Sequence, residues 1–361
     1  MTTLNAVELF AGGGGLAVGL ERAGIKPVAA IEFEPNAAAT FKANHPDVEV
    51  FCQDVATVTG AELLSLAGGS VDILAACPPC QGYSSLTSRW RRTDPRCELV
   101  SEVARLTEEI KPLAVMIENV PGLAGKGWPI FGDLVARLEA VGYVCTWGVL
   151  QVADYGVPQL RRRLVLLAGL GFAISLPKPT HARDGAGGLA RWKTVRETIG
   201  DRKSEAVTFK PSLDRDSLAA VDWHVVRRMS PDNVKRLESL KEGESGKDLP
   251  DTLRPACHRG GYRGFSNVYG RLKWDEPSAT ITAGCTTLSK GRFGHPEENR
   301  TLSLREAALL QTFPSDYKFE TARIDKICEI IGNALPCDFA AAIASHVSNA
   351  ILAKGGHRPT E

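Results

Sequence analysis

The segment ILAACPPCQGYSS, residues 73–85, sets Cys77 and Cys80 around two prolines, with Gln81 directly after. A Cys-x-x-Cys pair can exchange disulfides, hold a metal, or carry one attacking thiolate. Redox chemistry wants the pair at the start of a helix in a small domain, and Gln81-Gly82-Tyr83 is a poor helix opening. Structural zinc wants further ligands at metal spacing, but no second Cys-x-x-Cys exists and the other seven cysteines are scattered. A zinc deaminase wants His-x-Glu upstream of Pro-Cys-x-x-Cys; the only upstream histidine is His45, and Ala76 stands in the proline position. No metal is therefore expected. What remains is a nucleophilic Cys80 on a proline-stiffened loop, or two inert thiols. Free cysteine is only a few per cent thiolate near neutrality, so the site must lower its pKa or the substrate must drive attack.

Three further stretches bear on the choice. MIENVPGL ends an apolar run with Glu118 and Asn119, where open α/β sheets bind ligands. GVPQLRRRLVLLA places Gln159, Arg161 and Arg163 in period two, so that Arg161 and Arg163 are expected to point together at a ligand. ELFAGGGG is a glycine-rich turn between an apolar run and a helical pattern, a place where backbone approaches a ligand closely. The dinucleotide fingerprint G-x-G-x-x-G fails there, because Ala17 stands where its third glycine belongs. What fits is Glu8, Phe10, Gly12 and Gly14, followed by Glu32 and Asp54 near the ends of the next two apolar runs. Carboxylates so placed accept hydrogen bonds from ribose hydroxyls and an adenine amino group. The set predicts an adenosine-containing cofactor, and the absence of a Walker-type G-K-[ST] argues against a nucleoside triphosphate.

The elements that must position these residues alternate. Over the first 170 residues or so, apolar runs (NAVELFA, PVAAIEF, VDILAAC, LAVMIENV, RRRLVLLAGL) are separated by helical patterns such as GLAVGLERAG, PNAAATFKANH and SEVARLTEEIKP. This alternation predicts a mostly parallel sheet covered by helices on both faces. Residues 175–275 are different: rich in charge, glycine and proline, with 20 Lys+Arg against 14 Asp+Glu in a chain of net charge +1. Interleaved aromatics make that segment a candidate polyanion-binding surface or an ordinary solvated face. The final ICEIIGNALPCDFAAAIASHVSNAILA is again helical and apolar and is expected to pack back on the first domain. No apolar run approaches the roughly 18 residues that cross a bilayer. The N-terminus carries no signal pattern and the cysteine count is odd, so reduced thiols in a cytoplasmic protein are expected.

The ordered set ELFAGGGGL, IEFEPNA, CQDV, PPCQGYSS, ENVPG, QLRRR, RLKWDEPSATIT and GNALPCDFA resembles the DNA (cytosine-5) methyltransferases over nearly the whole chain. Only about 175–265, the position of that family's target-recognition region, lacks a transferable motif. The resemblance implies an α/β, Rossmann-like S-adenosylmethionine-dependent fold with a smaller, irregular target-recognition domain. The catalytic domain is expected at 1–172 plus 325–354, the recognition domain and hinge at 173–324, and a tail at 355–361. Cys80 matches the nucleophile, with Gln81 and Ser84 on its loop. Glu118 matches the carboxyl that contacts N3 and the amino group of the target cytosine, and Asn119 orders the loop. Arg161 and Arg163 match arginines that contact the base and steady the loop. For S-adenosylmethionine the matching positions are Phe10, Ala11, Gly12, Gly14, Glu32, Phe33, Asp54, Val55, Pro79, Leu99 and Asn333. Cys77 matches nothing and is expected to be a bystander. Double-stranded DNA is the implied partner, contacted by Ser84, Gln159, Arg254, Arg259, Arg263 and Arg271, in a cleft between the domains. The resemblance further implies a monomer, with a cognate restriction endonuclease or other defence proteins as associates. The family's tRNA-modifying branch keeps RNA open as a minor substrate. A silent DNA-binding module should have lost one of Cys80, Glu118, Arg161 or Arg163, and a thiol oxidoreductase would need Cys77.

Overall fold

The computed structural model describes residues 3–79, 99–201, 205–259 and 267–355; Cys80, Gln81, Ser84 and Arg263 lie outside the described residues. The chain divides into two units, one of Met1–Tyr155, Arg162–Pro179 and Leu335–Glu361, the other of Gly156–Arg161 and Thr180–Ala334.

The first unit is built on a sheet. In chain order its elements are β1 (Asn5–Leu9), α1 (Gly15–Arg22), β2 (Lys26–Ile31), α2 (Pro35–Asn44), β3 (Glu49–Phe51), α3 (Gly60–Leu66), β4 (Ile73–Ala76), α4 (Val100–Ile110), β5 (Ala114–Asn119), α5 (Trp128–Ala140) and β6 (Tyr143–Gln151). A two-residue strand, β7 (Gln159–Leu160), belongs to the second unit, and β8 (Arg162–Leu170) returns to the first. The sheet order is β3-β2-β1-β4-β5-β8-β6, with the first five strands parallel and β8 antiparallel to both neighbours. The reversal has a simple cause. Parallel neighbours need a crossover of a dozen or so residues, and the connection from β6 to β8 is too short to hold a helix.

Strand parity assigns the faces. Val7, Leu9, Leu74, Ala76, Val115, Ile117, Leu164 and Leu166 bury into one cluster with Val103, Leu106, Phe131, Leu134 and Leu138 of α4 and α5. Burial of each such side chain stabilises by about 1.5–3 kcal/mol. The C-terminal helix Cys337–Ala353 packs along α1, where a Cβ added at Gly19 would lie 2.4 Å from Ala340 Cβ. Local signals set the helix starts. Glu34 caps α2 by accepting from Ala37 N, with Pro35 at the first position, and Thr59 and Glu62 form a reciprocal capping box on α3.

The first unit runs on to Pro179, beyond the expected end at 172, because Ile174 is buried and Tyr155 Oη donates to Pro177 O at 2.8 Å. The helix Ile324–Asn333, expected with the catalytic domain, groups with the second unit. It packs on the helix Leu304–Leu310, and Gln311 Nε2 donates to Ile331 O at 2.6 Å. By composition the stretch Ile324–Ala353 is long and apolar enough to cross a membrane, contrary to the expectation of no such run. Its apolar window is 67% buried, and the chain leaves the helix at Ala334–Pro336, so its apolar residues serve the core.

The second unit has short helices and three two-residue parallel strand pairs. With so little ladder, buried arginines provide cross-links. Arg305 donates to Tyr317 O at 2.8 Å and pairs with Asp222 at 3.0 Å. Arg300 meets Glu306 through two bonds of 2.7 and 2.9 Å, and Glu306 also closes a capping box with Ser303.

Candidate active site

The glycine turn after β1 enters the left-handed region at Phe10 (φ 58°), Gly12 (φ 55°) and Gly14 (φ 92°), which opens α1 without a side-chain cap. Ala11 N donates to Ile31 O at 3.0 Å, pinning the turn to the end of β2. There Glu32 accepts from Gly12 N at 2.7 Å and from Glu34 N at 2.8 Å, one bond per oxygen. Burial raises the Glu32 pKa, and these backbone donors oppose the shift. Each oxygen keeps a lone pair for another donor. Phe33 follows with 72% of its surface exposed, unusual for a phenylalanine and suited to an aromatic ring laid on it. Asp54, also exposed, caps the turn Val55–Thr57 by accepting from Ala56 N at 3.0 Å. Val55 is buried, while Pro79 and the core-facing Leu99 are half-buried. Prepositioned carboxylates beside an exposed aromatic and an open glycine turn fit an adenosine-containing cofactor.

Glu118 and Asn119 end β5, both buried. Asn119 Nδ2 donates to Pro78 O at 2.9 Å, and its Oδ1 accepts from Val120 N at 2.8 Å, tying β5 to the segment after β4. Arg163 Nε approaches Glu118 Oε1 to 2.5 Å. The contact is an ion pair off the hydrogen-bonding line, so Oε1 has no aligned partner among the described residues. Burial pulls the Arg163 pKa down and the Glu118 charge opposes it. A carboxyl and a guanidinium therefore stand together at the carboxyl end of the sheet.

The expected period-two alignment of Arg161 with Arg163 does not hold, since the strand breaks at Arg161. Residues 159–160 pair with Ser278–Ala279, and β8 starts at Arg162. Arg161 is buried in the second unit, where Nη1 donates to Ile281 O and Gly332 O, both at 3.1 Å. Two expected DNA contacts are corrected. Gln159 is fully buried, accepting from Ile281 N at 3.0 Å and donating to Gln311 Oε1 at 2.7 Å. Arg271 is 4% exposed and donates to Leu237 O, Leu240 O, His295 O, Glu298 O and Asn299 Oδ1. With their polar atoms committed inside, neither side chain faces a phosphate. Arg254 pairs with Asp251 at 2.8 Å and is half-buried; Arg259 and Asn333 are exposed.

A model of the C-5 cytosine-specific DNA methylases matches residues 4–349. The chain belongs to that family. The type II methylase M.HgiDII of Herpetosiphon aurantiacus is 34% identical over 349 residues, 94% of each chain. The type II methyltransferase M1.HphI of Haemophilus parahaemolyticus is 32% identical, over 96% of this chain and 87% of its own. An Escherichia coli prophage-encoded structure, named as a DNA modification methyltransferase, superposes with TM-score 0.75 at 22% identity. It covers 97% of this chain and 100% of its own, a likeness of fold. As a DNA (cytosine-5) methyltransferase the chain acts on DNA, and membership of the family implies S-adenosylmethionine as the methyl donor.

One residue of this methyltransferase was quoted in the sequence without a role. Glu8, on β1, is 1% exposed, and its Oε2 has no partner among the described residues. Burial first, then the charges of Glu32 and Glu21, raises its pKa well above 4.5. An acid with a raised folded pKa binds its proton more tightly folded than unfolded. Its contribution is full below the unfolded value and falls as pH rises toward the folded one. Glu8→Gln, neutral at every pH, should escape that loss. Its Tm advantage over the parent is expected to widen by a few degrees from about pH 5 to about pH 8. Scanning calorimetry across that range checks it, and a difference that stays flat or narrows counts against a buried neutral acid.

Proposed function

We propose that this enzyme methylates C5 of a cytosine within a specific sequence of double-stranded DNA, with Cys80 as the nucleophile toward C6. C5 is a weak nucleophile, so the ring needs activation. Addition of the Cys80 thiolate to C6 places electron density on C5 and N3, and the covalent adduct divides one hard step into easier ones. A proton held between the Glu118 carboxyl and N3 would offset that charge, with Glu118 also accepting from the exocyclic amino group and the cationic Arg163 beside it. The close Glu118–Arg163 pair at the end of β5 is the observation that carries this reading. Asn119 would hold the segment leading to Cys80 through Pro78. Arg161 is proposed as a further arginine of the reaction. Gln81 would sit on the nucleophile's loop.

S-adenosylmethionine, when bound, supplies the electrophilic methyl that activated C5 accepts. Loss of the C5 proton to a base or water and departure of the Cys80 thiolate from C6 then restore the ring. Glu32 would hold the ribose hydroxyls, Phe33 would lie on the adenine, and Asp54 would accept from the adenine amino group. Phe10, Ala11, Gly12 and Gly14 would bring backbone to the amino-acid end, with Val55, Pro79 and Leu99 completing the pocket, and Asn333 is proposed as a further cofactor residue.

A duplex hides C6 in its stack, so the base must leave it, at a cost of a few kcal/mol typical of base-flipping enzymes, methyltransferases among them. Phosphate contacts offset such a cost, and Ser84, Arg254, Arg259 and Arg263 remain the residues proposed to make them. The named type II relatives support a role as the modification half of a restriction–modification pair. A monomeric cytoplasmic enzyme belongs to the same proposal.

Mapping of 5-methylcytosine in DNA from a host expressing the chain tests the proposal. One recurrent sequence context, methylated at C5 and absent from a control host, is expected. Methylation on adenine or on the N4 amino group would overturn the assignment.

A further inference from the structure

Cys77 stands between the two carboxyls of the sheet edge. β4 and β5 run in parallel register with Ala76 beside Ile117, so the next pair is Cys77 beside Glu118. On the other side Glu8 pairs with Ala75, two residues before Cys77 and therefore on the same face. Glu118 in turn opposes Val165, two residues after Arg163. Glu8, Cys77, Glu118 and Arg163 thus share one face of four strands, the one opposite Leu9, Ala76 and Ile117, with Glu8 two residues short of the Cys77–Glu118 level and Arg163 two residues beyond it. Glu8 Oε2 is orphaned, and Glu118 Oε1 lacks an aligned donor among the described residues. A buried carboxyl is stabilised by a neutral donor beside it, and the half-buried Cys77 is the side chain placed between the two.

We propose that Cys77 is a positioning residue for Glu118, its neutral S–H holding the carboxyl at the sheet edge against Arg163, with Glu8 behind it. The assignment rests on the proposed role of Glu118 and replaces the expectation that Cys77 is a bystander. The groups facing this thiol agree in direction. Burial comes first, then the charges of Glu118 and Glu8 and a hydrogen bond to Glu118 raise its pKa well above 9.0, while Arg163 opposes them. Glu32 and Glu21 act on this face through Glu8, and Cys337 of the C-terminal helix senses Glu8 as well. A thiol so placed stays protonated through the working pH range. It is a donor, and no nucleophile.

The test uses the full chain and single-turnover methyl transfer to a DNA carrying the mapped target. Cys77→Ala should lower the rate about 5-fold, the scale of one modest hydrogen bond. KM for DNA should not change. Cys77→Ser, which restores a donor of similar size, should recover to within about 2-fold. Both variants matching the parent in rate would overturn the proposal. So would equal losses in both, since that is packing alone. Glu118→Gln is run alongside. Parental activity in that variant would fail the reading of Glu118 itself, whatever Cys77 does, whereas a strong loss there with an inert Cys77 fails only the present assignment.

Discussion

Cys80→Ser is expected to leave no measurable methyl transfer, a loss of about 10³-fold or more, the scale on which enzymes lose rate when their nucleophile is removed. It should also form no covalent complex with DNA whose target base is 5-fluorocytosine. The two readouts are separable. Fluorine at C5 cannot leave as a proton does, so the parent enzyme should accumulate as a denaturation-resistant adduct through the C6–sulfur bond. A serine hydroxyl is far less ionised near neutrality than a thiol and adds poorly to C6. The variant should still fold and bind DNA, because serine keeps the size of the side chain it replaces. Gel analysis after denaturation, beside transfer of labelled methyl groups, checks both. An active serine variant, or a trapped complex formed without the thiol, would remove Cys80 from the mechanism. The contrast with Cys77 sharpens the result, for its neighbour on the same Cys-x-x-Cys should cost only a few-fold.

The sheet was legible in the sequence because its strands are short, apolar and buried on both faces, and a run such as LAVMIENV admits few other fates. The glycine turn and the acids at the strand ends were legible for a related reason. Backbone that must turn left-handed beside a ligand restricts residue type at Gly12 and Gly14. Where the reading failed, the deciding partner lay far along the chain. Period two in QLRRR describes a continuous strand, but residues 159–160 pair with Ser278–Ala279 and the strand ends there. Arg271 sits in a stretch rich in basic residues, and only the tertiary structure reveals five acceptors waiting for it. Cys77 and Glu8 could have been found by parity, because alternate residues of neighbouring parallel strands share a face. That inference also needs the register between strands, which periodicity alone does not supply.

Arg271→Ala should destabilise the protein by about 3–5 kcal/mol, the cost of breaking a buried charged network from one side. All three guanidinium nitrogens are committed: Nε to Leu237 O and Leu240 O at 3.2 and 3.0 Å, and Nη1 to His295 O and Glu298 O at 2.8 and 2.6 Å. Nη2 bonds Leu237 O at 2.9 Å and Asn299 Oδ1. Alanine would take the guanidinium from Leu240 O, His295 O and Glu298 O, while Leu237 O keeps Leu240 N at 3.0 Å, in a region with few strand ladders to absorb the loss, each orphan costing about 1–3 kcal/mol in isolation. The burial that makes this site costly to empty also pulls the guanidinium pKa down, yet an arginine stays charged. Denaturant melts should therefore show a lower midpoint for Arg271→Ala, with Arg271→Lys in between, since an ammonium can reach some of these acceptors without the planar fork. DNA binding by the folded fraction should keep the parent's dependence on salt. A phosphate contact at this position predicts the reverse: unchanged stability, and a log-affinity against log-salt slope reduced by about one. Arg259→Ala is the internal comparison, because that side chain is exposed and its Nε meets Arg254 O. A flatter salt slope at 259 with full stability, beside the opposite pair of results at 271, would separate an arginine that builds the recognition unit from one that meets the DNA.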